Sequence, residues 1–400
     1  MSTDQKFTRR DFLTIGSSAV AGLLLSQKLN AQTKKTSKEM LLYIGTYTST
    51  GKSEGIYVHK FNPETGKLTP LFTVKDVAEP SFLTIDKNRK YLYAVNELLE
   101  FDGKKSGAVS AFAIDQKTGN LQFLNKQASL GGAPCFITTS KNNKFALVAN
   151  YLGGNVSVYP IEKGGKLGAS VDLAQHTGSG PNKDRQEAAH AHSITLDRNN
   201  RFAFAADLGI DKLMIYEFDD QTGKFKPNAA QAFFQTKPGA GPRHFSFHGS
   251  GKMAFLINEL DTTITSLAYD EKLGTLKEIQ TVPTLPAGVS GAGNSCADIH
   301  VSPNGKFLYG SNRGHNSIVS YKIDENTGKL EYIEHVSTGG KKPRNFAIAP
   351  DGKFLLVANQ ESDTVVIFRI DEKTGKLRAT GDSVQVPVPV CLKFIPAFTN

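Results

Sequence analysis

A short turn of the type Thr-Gly-Lys-Leu recurs along the whole chain, and this repetition constrains the fold more than any other feature. Seven copies, some with substitutions, begin at Thr65, Thr118, Gly164, Thr222, Leu273, Thr327 and Thr374. Their spacing of roughly fifty residues matches repeat units built from four strands. Continuous helical periodicity is absent from the sequence, so helical repeats are excluded.

The stretch Pro343–Leu377 shows the repeated unit in its clearest form. It contains three short apolar or alternating runs, Asn345–Ala349, Lys353–Asn359 and Val365–Ile370, and a fourth, more polar run after Glu372–Gly375. Gly and Asp in the intervening turns supply the backbone conformations that tight hairpins require. Runs of this kind, bounded by turn residues, predict four antiparallel strands per repeat.

Six complete copies and one divided copy account for most of the chain. The complete copies begin near Pro80, Pro134, His190, Pro242, Cys296 and Pro343. The first copy starts at Leu41 without an opening strand, and Val388–Ile395 resembles the missing strand. We therefore predict an all-β fold, a single seven-bladed β-propeller of four-stranded antiparallel blades over residues 40–400. The N- and C-terminal strands would share one blade and close the ring.

The residues before the repeats have a different character. Arg9 and Arg10 precede an apolar run of small residues, Ile15–Leu25, and then Leu29–Ala31, a small-residue cleavage site. This order is typical of a twin-arginine export signal, and the apolar run is short for a membrane span. We predict a signal at 1–31 that is read by the twin-arginine export machinery, a polar tether at 32–39 and a periplasmic location. An uncleaved anchor or a chance arginine pair is the alternative.

Charge and cysteine content restrict the possible partners. The formal net charge is +9, but many lysines, such as Lys67 and Lys329, occupy the repeated turns. No basic run interleaved with aromatic residues occurs, so we expect no nucleic-acid partner, although a positive field favours anionic ligands. Three cysteines, Cys135, Cys296 and Cys391, cannot form a full disulfide framework. We expect unpaired, buried cysteines, with one bridge as the alternative.

The repeats, aligned on their shared turns, differ where the first strand begins. We call a set of equivalent positions in the aligned repeats a column. The first of two adjacent columns contains Ser81, Cys135, Ala191, Arg243, Ala297 and Arg344. The second contains Phe82, Phe136, His192, His244, Asp298 and Asn345. Packing alone would favour the same apolar residue in every copy, because each blade meets its neighbours in the same way. The change from aromatic to polar residues therefore indicates a function at this level of the propeller.

A second pair of columns lies at the end of the next strand. One contains Asn96, Asn150, Asp207, Asn258, Asn312 and Asn359, which we interpret as mainly structural because Asn bonds readily to turn backbone. The following column contains Glu97, Tyr151, Leu208, Glu259, Arg313 and Gln360. Antiparallel pairing brings both sets of columns to one face. Insertions at residues 175–189 and 285–295 should emerge on that face, where binding loops usually cluster.

These columns predict a polar pocket near the propeller axis. Its expected members are His190, His192, Asp207, Arg243, His244, Glu259, Asp298, His300, Arg313 and Arg344. A histidine beside a carboxylate can activate water, and arginines can hold an anion or a developing oxyanion. Such groups suit the hydrolysis of an ester-like ring. Salt bridges around a wet channel, or a metal bound by His190, His192 and Asp207, are the alternatives. We expect no cofactor and no metal.

The motifs that contain these residues resemble those of the seven-bladed propeller lactonase family. The resemblance spans about residues 41–395 and includes AHAHSITLD at 189–197, GPRHFSFH at 241–248, INELDTTIT at 257–265 and LYGSNRGHNSI at 308–318. This family includes bacterial 6-phosphogluconolactonases of the propeller type and fungal carboxy-cis,cis-muconate cyclase. The cyclases use a histidine, two arginines and a glutamate, which match His192, Arg243, Arg313 and Glu259.

The resemblance implies a catalytic set of His192, Arg243, Glu259 and Arg313. The substrate-binding residues would then be His190, Asp207, His244, Asp298, His300 and Arg344. At 297–300 the chain reads Ala-Asp-Ile-His, where the family is expected to carry Glu and Arg at the second and fourth places.

The resulting hypothesis is a monomeric hydrolase that opens a sugar or organic-acid lactone, with an anionic small molecule as its partner. His192 supported by Asp207, or else Glu259, would activate water, while Arg243 and Arg313 hold the anion and the oxyanion. Because phosphosugar metabolism is cytoplasmic, an exported enzyme favours a lactone other than a phosphosugar. A lactonising cyclase and a non-catalytic binding propeller remain the alternatives.

Overall fold

The computed structural model describes residues 39–397, and this part of the chain forms seven β-sheets and one 3₁₀ turn. Each sheet is a blade of four antiparallel strands, and one blade has a fifth strand. The predicted seven-bladed propeller is confirmed. The predicted signal at 1–31 and all of the predicted tether except Glu39 lie outside the described residues. Within residues 39–397, no helix is long or apolar enough to cross a membrane.

The first blade is the one shared by the two ends of the chain. From the innermost strand outward it contains β29 (Pro389–Pro396), β1 (Met40–Thr46), β2 (Gly55–Phe61) and β3 (Leu68–Lys75). β1 pairs with β29 along its whole length, from Met40 opposite Pro396 to Thr46 opposite Pro389. The ring is therefore closed by backbone hydrogen bonds between the two termini, as predicted.

The other six blades follow one another along the chain. The second contains β4 (Leu83–Ile85), β5 (Tyr91–Asn96), β6 (Ala108–Ile114) and β7 (Leu121–Ala128). The third contains β8 (Pro134–Thr139), β9 (Phe145–Asn150), β10 (Asn155–Pro160) and β11 (Asp172–Gln175). The fourth contains β12 (Ala191–Leu196), β13 (Phe202–Asp207), β14 (Lys212–Asp219), β15 (Lys224–Pro227) and the additional β16 (Phe233–Gln235). The 3₁₀ turn, Leu208–Ile210, lies between β13 and β14.

The last three blades have the same order from inside to outside. The fifth contains β17 (Pro242–Phe247), β18 (Met253–Asn258), β19 (Thr263–Asp270) and β20 (Thr275–Pro283). The sixth contains β21 (Ser295–Val301), β22 (Phe307–Arg313), β23 (Ser317–Ile323) and β24 (Leu330–Ser337). The seventh contains β25 (Pro343–Ile348), β26 (Phe354–Asn359), β27 (Thr364–Ile370) and β28 (Leu377–Gln385).

The hydrophobic core lies between the blades rather than at the axis. The second strands, such as β9, β18 and β26, are buried at every residue because each blade is covered on both faces by its neighbours. The outermost strands, such as β3 and β24, are mostly half-buried or exposed, which explains why the fourth run of each repeat is more polar. The three cysteines are free and buried.

The recurring turn has a packing role between blades. In the last copy, Gly375 has φ +73°, which glycine tolerates best, and a Cβ there would lie 2.4 Å from a ring atom of Phe307 in the preceding blade. Gly66 has φ +83°, and its Cβ would similarly meet Phe354 of the last blade. The turn therefore needs glycine for its backbone conformation and for the space that the neighbouring aromatic ring occupies.

Candidate functional site

One layer of side chains, with one member from each of the seven blades, meets around the propeller axis, and we call it the axial layer. It consists of Phe82, Phe136, His192, His244, Asp298, Asn345 and Cys391. The Phe82 and Phe136 rings stack with centroids 4.4 Å apart, and the His244 ring lies 5.4 Å from both Phe136 and His192. The polar column predicted from the repeats is thus brought together at the axis.

A cluster of three arginines surrounds one buried carboxylate beside this layer, and we call it the arginine cluster. Arg243 Nε and Arg313 Nη2 each lie 2.8 Å from Glu259 Oε2. Arg185 Nη2 lies 2.7 Å from the other oxygen, Oε1. Arg243 and Arg313 are also tied to backbone carbonyls, those of Ala297 and Cys296 respectively. The structure therefore brings Arg243, Glu259 and Arg313 together and adds Arg185.

The charges of this cluster perturb one another strongly. Burial alone would raise the pKa of Glu259, but the guanidinium groups of Arg313, Arg243 and Arg185 hold it well below its usual range. Burial, reinforced by the charge of Arg313, lowers the pKa of Arg243 to about 10. Both groups are still charged at neutral pH. Both Glu259 oxygens are occupied by guanidinium groups, so Glu259 is better suited to orient the arginines than to activate water.

His192 is the histidine of the axial layer with the fewest polar contacts. Its Nδ1 lies 3.6 Å from Cys135 Sγ, and among residues 39–397 its Nε2 has no hydrogen-bond partner. The rings of Tyr151 and His244 pack against it, each with a centroid distance of 5.4 Å. Burial and the nearby charge of Arg243 hold the pKa of His192 well below its usual range. The imidazole is therefore neutral at neutral pH, and with its proton on Nδ1 it presents a lone pair on Nε2.

His244 and Asp298 form a hydrogen-bonded chain that ends on Arg243. His244 Nδ1 lies 2.8 Å from Asp298 Oδ1, and Arg243 Nη1 donates to His244 Nε2 at 3.2 Å. Burial and Arg243 lower the pKa of His244 to about 4, so the ring is neutral and can accept this bond. The second Asp298 oxygen, Oδ2, lies 2.9 Å from His300 Nε2 and also accepts from the Asn345 side chain. Both Asp298 oxygens are therefore occupied by protein groups, which favours a positioning role.

Asp207 lies on the same face but does not reach His192. Its Oδ2 lies 2.6 Å from His176 Nδ1, and its Oδ1 accepts from the backbone N–H groups of His190 and Gly209. The expected support of His192 by Asp207 is therefore wrong. The cause is a local substitution, because four of the five Asn residues of this column donate to a backbone carbonyl, as Asn150 does. A carboxylate cannot donate, so it binds a histidine side chain instead.

His190 also has its ring nitrogens occupied by the protein. Nδ1 lies 3.0 Å from the carbonyl oxygen of Tyr151, and Nε2 lies 2.9 Å from Glu187 Oε1. The His190 ring stacks on the Tyr151 ring with a centroid distance of 4.4 Å. In the described part of the chain, no group of three His, Cys, Asp or Glu side chains is arranged to hold a metal ion. The alternative metal set of His190, His192 and Asp207 is not assembled, because Asp207 binds His176.

Arg344 belongs to a second polar group, on blades one, two and seven. Its guanidinium carbon lies 5.4 Å from the centroid of the Tyr47 ring, and the Tyr47 hydroxyl donates to Glu97 Oε2 at 2.9 Å. Burial raises the pKa of Glu97, an effect that the positive charge of Arg344 opposes. Arg344 thus stands apart from the arginine cluster and brings a further positive charge to the same face.

Column comparison did not select three residues that the structure adds to the site. Tyr151 and Glu97 belong to the variable column after the Asn position, so the sequence contained a signal for both. Arg185 lies in the predicted insertion at 175–189, which has no counterpart in the other repeats, so no column could identify it. The insertion was nevertheless expected on this face, and its contact with Glu259 agrees with that expectation.

Comparisons with known proteins agree with this architecture. A family model described as "Lactonase, 7-bladed beta-propeller" matches residues 41–394. A 6-phosphogluconolactonase of Bacillus subtilis is 38% identical over 353 residues, which cover 88% of this chain and 97% of the relative. A 6-phosphogluconolactonase of Formosa agariphila is 39% identical over 308 residues, which cover 76% and 85%. The solved structure of the Pseudomonas aeruginosa periplasmic gluconolactonase is 33% identical, with a TM-score of 0.84 and coverage of 90% and 99%.

Proposed function

Because this chain belongs to the seven-bladed β-propeller lactonase family, we propose that it hydrolyses a sugar or organic-acid lactone at the face that carries the arginine cluster. The observation that carries this proposal is the juxtaposition of a neutral histidine with an accessible lone pair and a set of fixed guanidinium groups. His192 and Arg243 both contact the His244 ring, so a single imidazole joins the two groups. A base next to fixed positive charge is what the attack of water on a carboxylic ester needs.

The mechanism that we propose assigns one step to each group. His192 Nε2 takes a proton from water as the water oxygen attacks the lactone carbonyl carbon. The positive charges of Arg243 and Arg313 stabilise the oxyanion that forms, and Glu259 keeps both guanidinium groups in position. The ring C–O bond then breaks, and the leaving alkoxide takes the proton back from His192. The product is a hydroxy acid that ionises to its carboxylate.

The charge of the site favours an anionic substrate. Arg185, Arg243, Arg313 and Arg344 bring four positive charges to this face, against the three carboxylates of Glu259, Glu97 and Asp298. A positive, partly desolvated surface attracts and orients anions. The relatives are named for phosphorylated and for unphosphorylated gluconolactone, so we propose gluconolactones of either kind as the first substrates to test.

The decisive experiment measures proton release by the purified chain in a pH-stat with a panel of lactones, after subtraction of spontaneous ring opening. Wild-type protein, His192→Ala, Arg243→Ala and the surface variant Lys329→Ala are compared. We expect acceleration with at least one lactone, its loss in the first two variants and no change in the third. Acceleration that survives both pocket variants would refute the proposed site. Net lactone formation from the open acid would indicate a cyclase, and binding without turnover would indicate a binding propeller.

We also propose that the chain is exported to the periplasm by its twin-arginine signal. The proposal rests on the order of the arginine pair, the apolar run and the small-residue site at residues 1–31. Replacement of Arg9 and Arg10 by lysine should retain the protein in the cytoplasmic fraction. The control exchanges lysine for arginine at the turn residues Lys67 and Lys329, and this variant should still be exported. Equal export of both variants would contradict the proposal.

A further inference from the structure

The loop between β11 and β12 holds one arginine at the rim of the site. Its next residue, Gln186, is fully buried, and the Gln186 side-chain amide donates to the carbonyl oxygen of Leu208 at 2.8 Å and to Asp211 Oδ1 at 2.7 Å. The loop is also closed on itself by a bond from Gly180 N–H to the carbonyl oxygen of Gln186. The backbone from which the Arg185 side chain extends is therefore well anchored.

Arg185 differs from the other members of the arginine cluster in exposure and in the oxygen that it contacts. Its side chain is 40% exposed, against 2% for Arg243 and 12% for Arg313. Arg243 and Arg313 share Glu259 Oε2, whereas Arg185 contacts Oε1. If Arg185 turns away, Glu259 therefore keeps two cationic partners. Arg185 is the member of the cluster that can move to a ligand at little cost to the site.

The charge balance provides a reason for that movement. Three guanidinium groups surround one carboxylate, which leaves an excess of two positive charges at the cluster. The Tyr151 hydroxyl accepts from Arg185 Nη2 at 3.2 Å and offers a donor of its own beside it. A guanidinium with an adjacent hydroxyl matches the oxygens of a phosphate or a carboxylate. A neutral sugar lactone offers Arg185 no charge of this kind.

We propose that Arg185 is the residue by which this site distinguishes lactones with an anionic substituent from neutral lactones. On binding, Arg185 exchanges Glu259 Oε1 for the substituent, while Arg243 and Arg313 remain on Glu259 and serve the lactone carbonyl. The proposal rests on the proposed lactonase function and adds a specificity determinant to it. Because it assigns the anion to a loop outside the repeats, specificity can change without any change in the blades.

The test compares kcat/KM for three lactones: 6-phosphogluconolactone, glucarolactone with its free carboxylate, and neutral gluconolactone. A charged hydrogen bond is worth about ten- to a hundredfold, so Arg185→Gln should lower kcat/KM by about 30-fold with a preferred anionic lactone, chiefly through KM. The loss with gluconolactone should be less than about threefold. Comparison of the phosphate and carboxylate lactones shows which anion is preferred. Arg185→Lys, which keeps the charge but not the planar donor pair, should give an intermediate loss with the anionic lactones.

The control is Lys183→Gln, which removes a positive charge from an exposed position of the same loop, and it should leave all three values unchanged. An equal loss with charged and neutral lactones, or no loss at all, would overturn the proposal, because Arg185 would then only support Glu259 or play no part. If wild-type protein opens none of the three lactones, the lactonase proposal fails and titration with inorganic phosphate decides the role of Arg185. If phosphate binds at least tenfold more tightly to the wild type than to Arg185→Gln, Arg185 is retained as the anion-binding residue of the site. Any smaller difference in phosphate affinity would reject that role.

Discussion

The blade interiors and the axial layer follow opposite rules, although both are built from the same repeats. One column of the third strands packs between blades and contains Phe112, Tyr159, Tyr216, Leu267, Tyr321 and Phe368, with His59 in the first blade. It is almost uniformly large and apolar because every member faces the same kind of neighbour. In the axial layer the seven side chains face one another, so they must complement each other, as His244, Asp298 and Asn345 do.

The comparison also shows that a departure from a repeated column does not by itself mark function. His59 departs from the aromatic column, but it is buried away from the axis and neither of its ring nitrogens has a hydrogen-bond partner. Asp207 departs from the Asn column, and His176 compensates for the change. His192 departs at the axis and keeps a nitrogen free. The surroundings of a departure therefore decide whether it serves packing, compensation or chemistry.

The largest expected effect concerns His192. Loss of a general base typically lowers the rate by 10²- to 10⁴-fold, so His192→Gln should lower kcat by about a thousandfold. The free energy of unfolding should fall by only about 1 kcal/mol, because the variant loses the packing of the buried ring against Tyr151 and His244, so the protein stays folded in the assay. His335→Gln on the outer strand β24 is the control and should leave kcat unchanged. A fall of less than threefold for His192→Gln would exclude His192 as the base.

The same residue determines the acid limb of the pH profile. A free histidine has a pKa of about 6.5, and burial with Arg243 holds the pKa of His192 well below its usual range. Since the neutral ring is the active form, kcat/KM of the wild-type protein should stay constant as the pH falls through about 6.5 and decline only at lower pH. The measurement is initial rate against pH with a neutral lactone. A midpoint at or above 6.5 would show that another group limits the reaction.

Removing the charge of Glu259 should have the largest effect on stability. Glu259→Gln leaves the buried Arg243 guanidinium without a counter-charge, and breaking a buried ion pair costs about 3 kcal/mol. The free energy of unfolding from denaturant titration checks this value. Glu331→Gln removes a carboxylate from an exposed pair with Lys322 and should change stability by less than about 0.5 kcal/mol. Similar values for the two variants would mean that the arginine cluster is solvated like a surface pair.

Asp207→Asn tests whether this carboxylate is structural. The variant loses the charged bond to His176 and should be less stable by about 1.5 kcal/mol, while kcat/KM changes by less than about threefold. The matched double variant Asp207→Asn with His176→Thr recreates the arrangement of the sixth blade, where the Asn312 amide donates to the carbonyl oxygen of Thr284. It should recover at least half of the lost stability. A large loss of kcat in the single variant would restore Asp207 to the catalytic machinery.

The sequence was sufficient for the fold because seven imperfect copies of one pattern support one another. Ambiguity in a single copy, such as the three-residue β4, is resolved by the six others. Convergence at the axis was also predictable, since antiparallel pairing fixes which strand ends share a face. The partners of individual side chains were not. Asp207 depends on His176 from the preceding blade, and Arg185 lies in an insertion without repeat symmetry, so only three-dimensional packing could identify their contacts.

The smallest expected effect would return His59 to the pattern of its column. The His59 ring is buried and has two nitrogens without hydrogen-bond partners, whereas two other blades have phenylalanine at this position, Phe112 and Phe368. His59→Phe should therefore raise the free energy of unfolding by about 1 kcal/mol at neutral pH.

Burial lowers the pKa of His59 in the folded protein to about 4, so the unfolded chain binds a proton more readily. Wild-type stability is therefore lost as the pH falls from about 6.5 towards about 4, and the variant avoids this loss. Denaturant titrations of both proteins at pH 7 and pH 5 measure the difference, which should grow at the lower pH while kcat stays unchanged. A stabilisation independent of pH would mean that His59 does not titrate on unfolding.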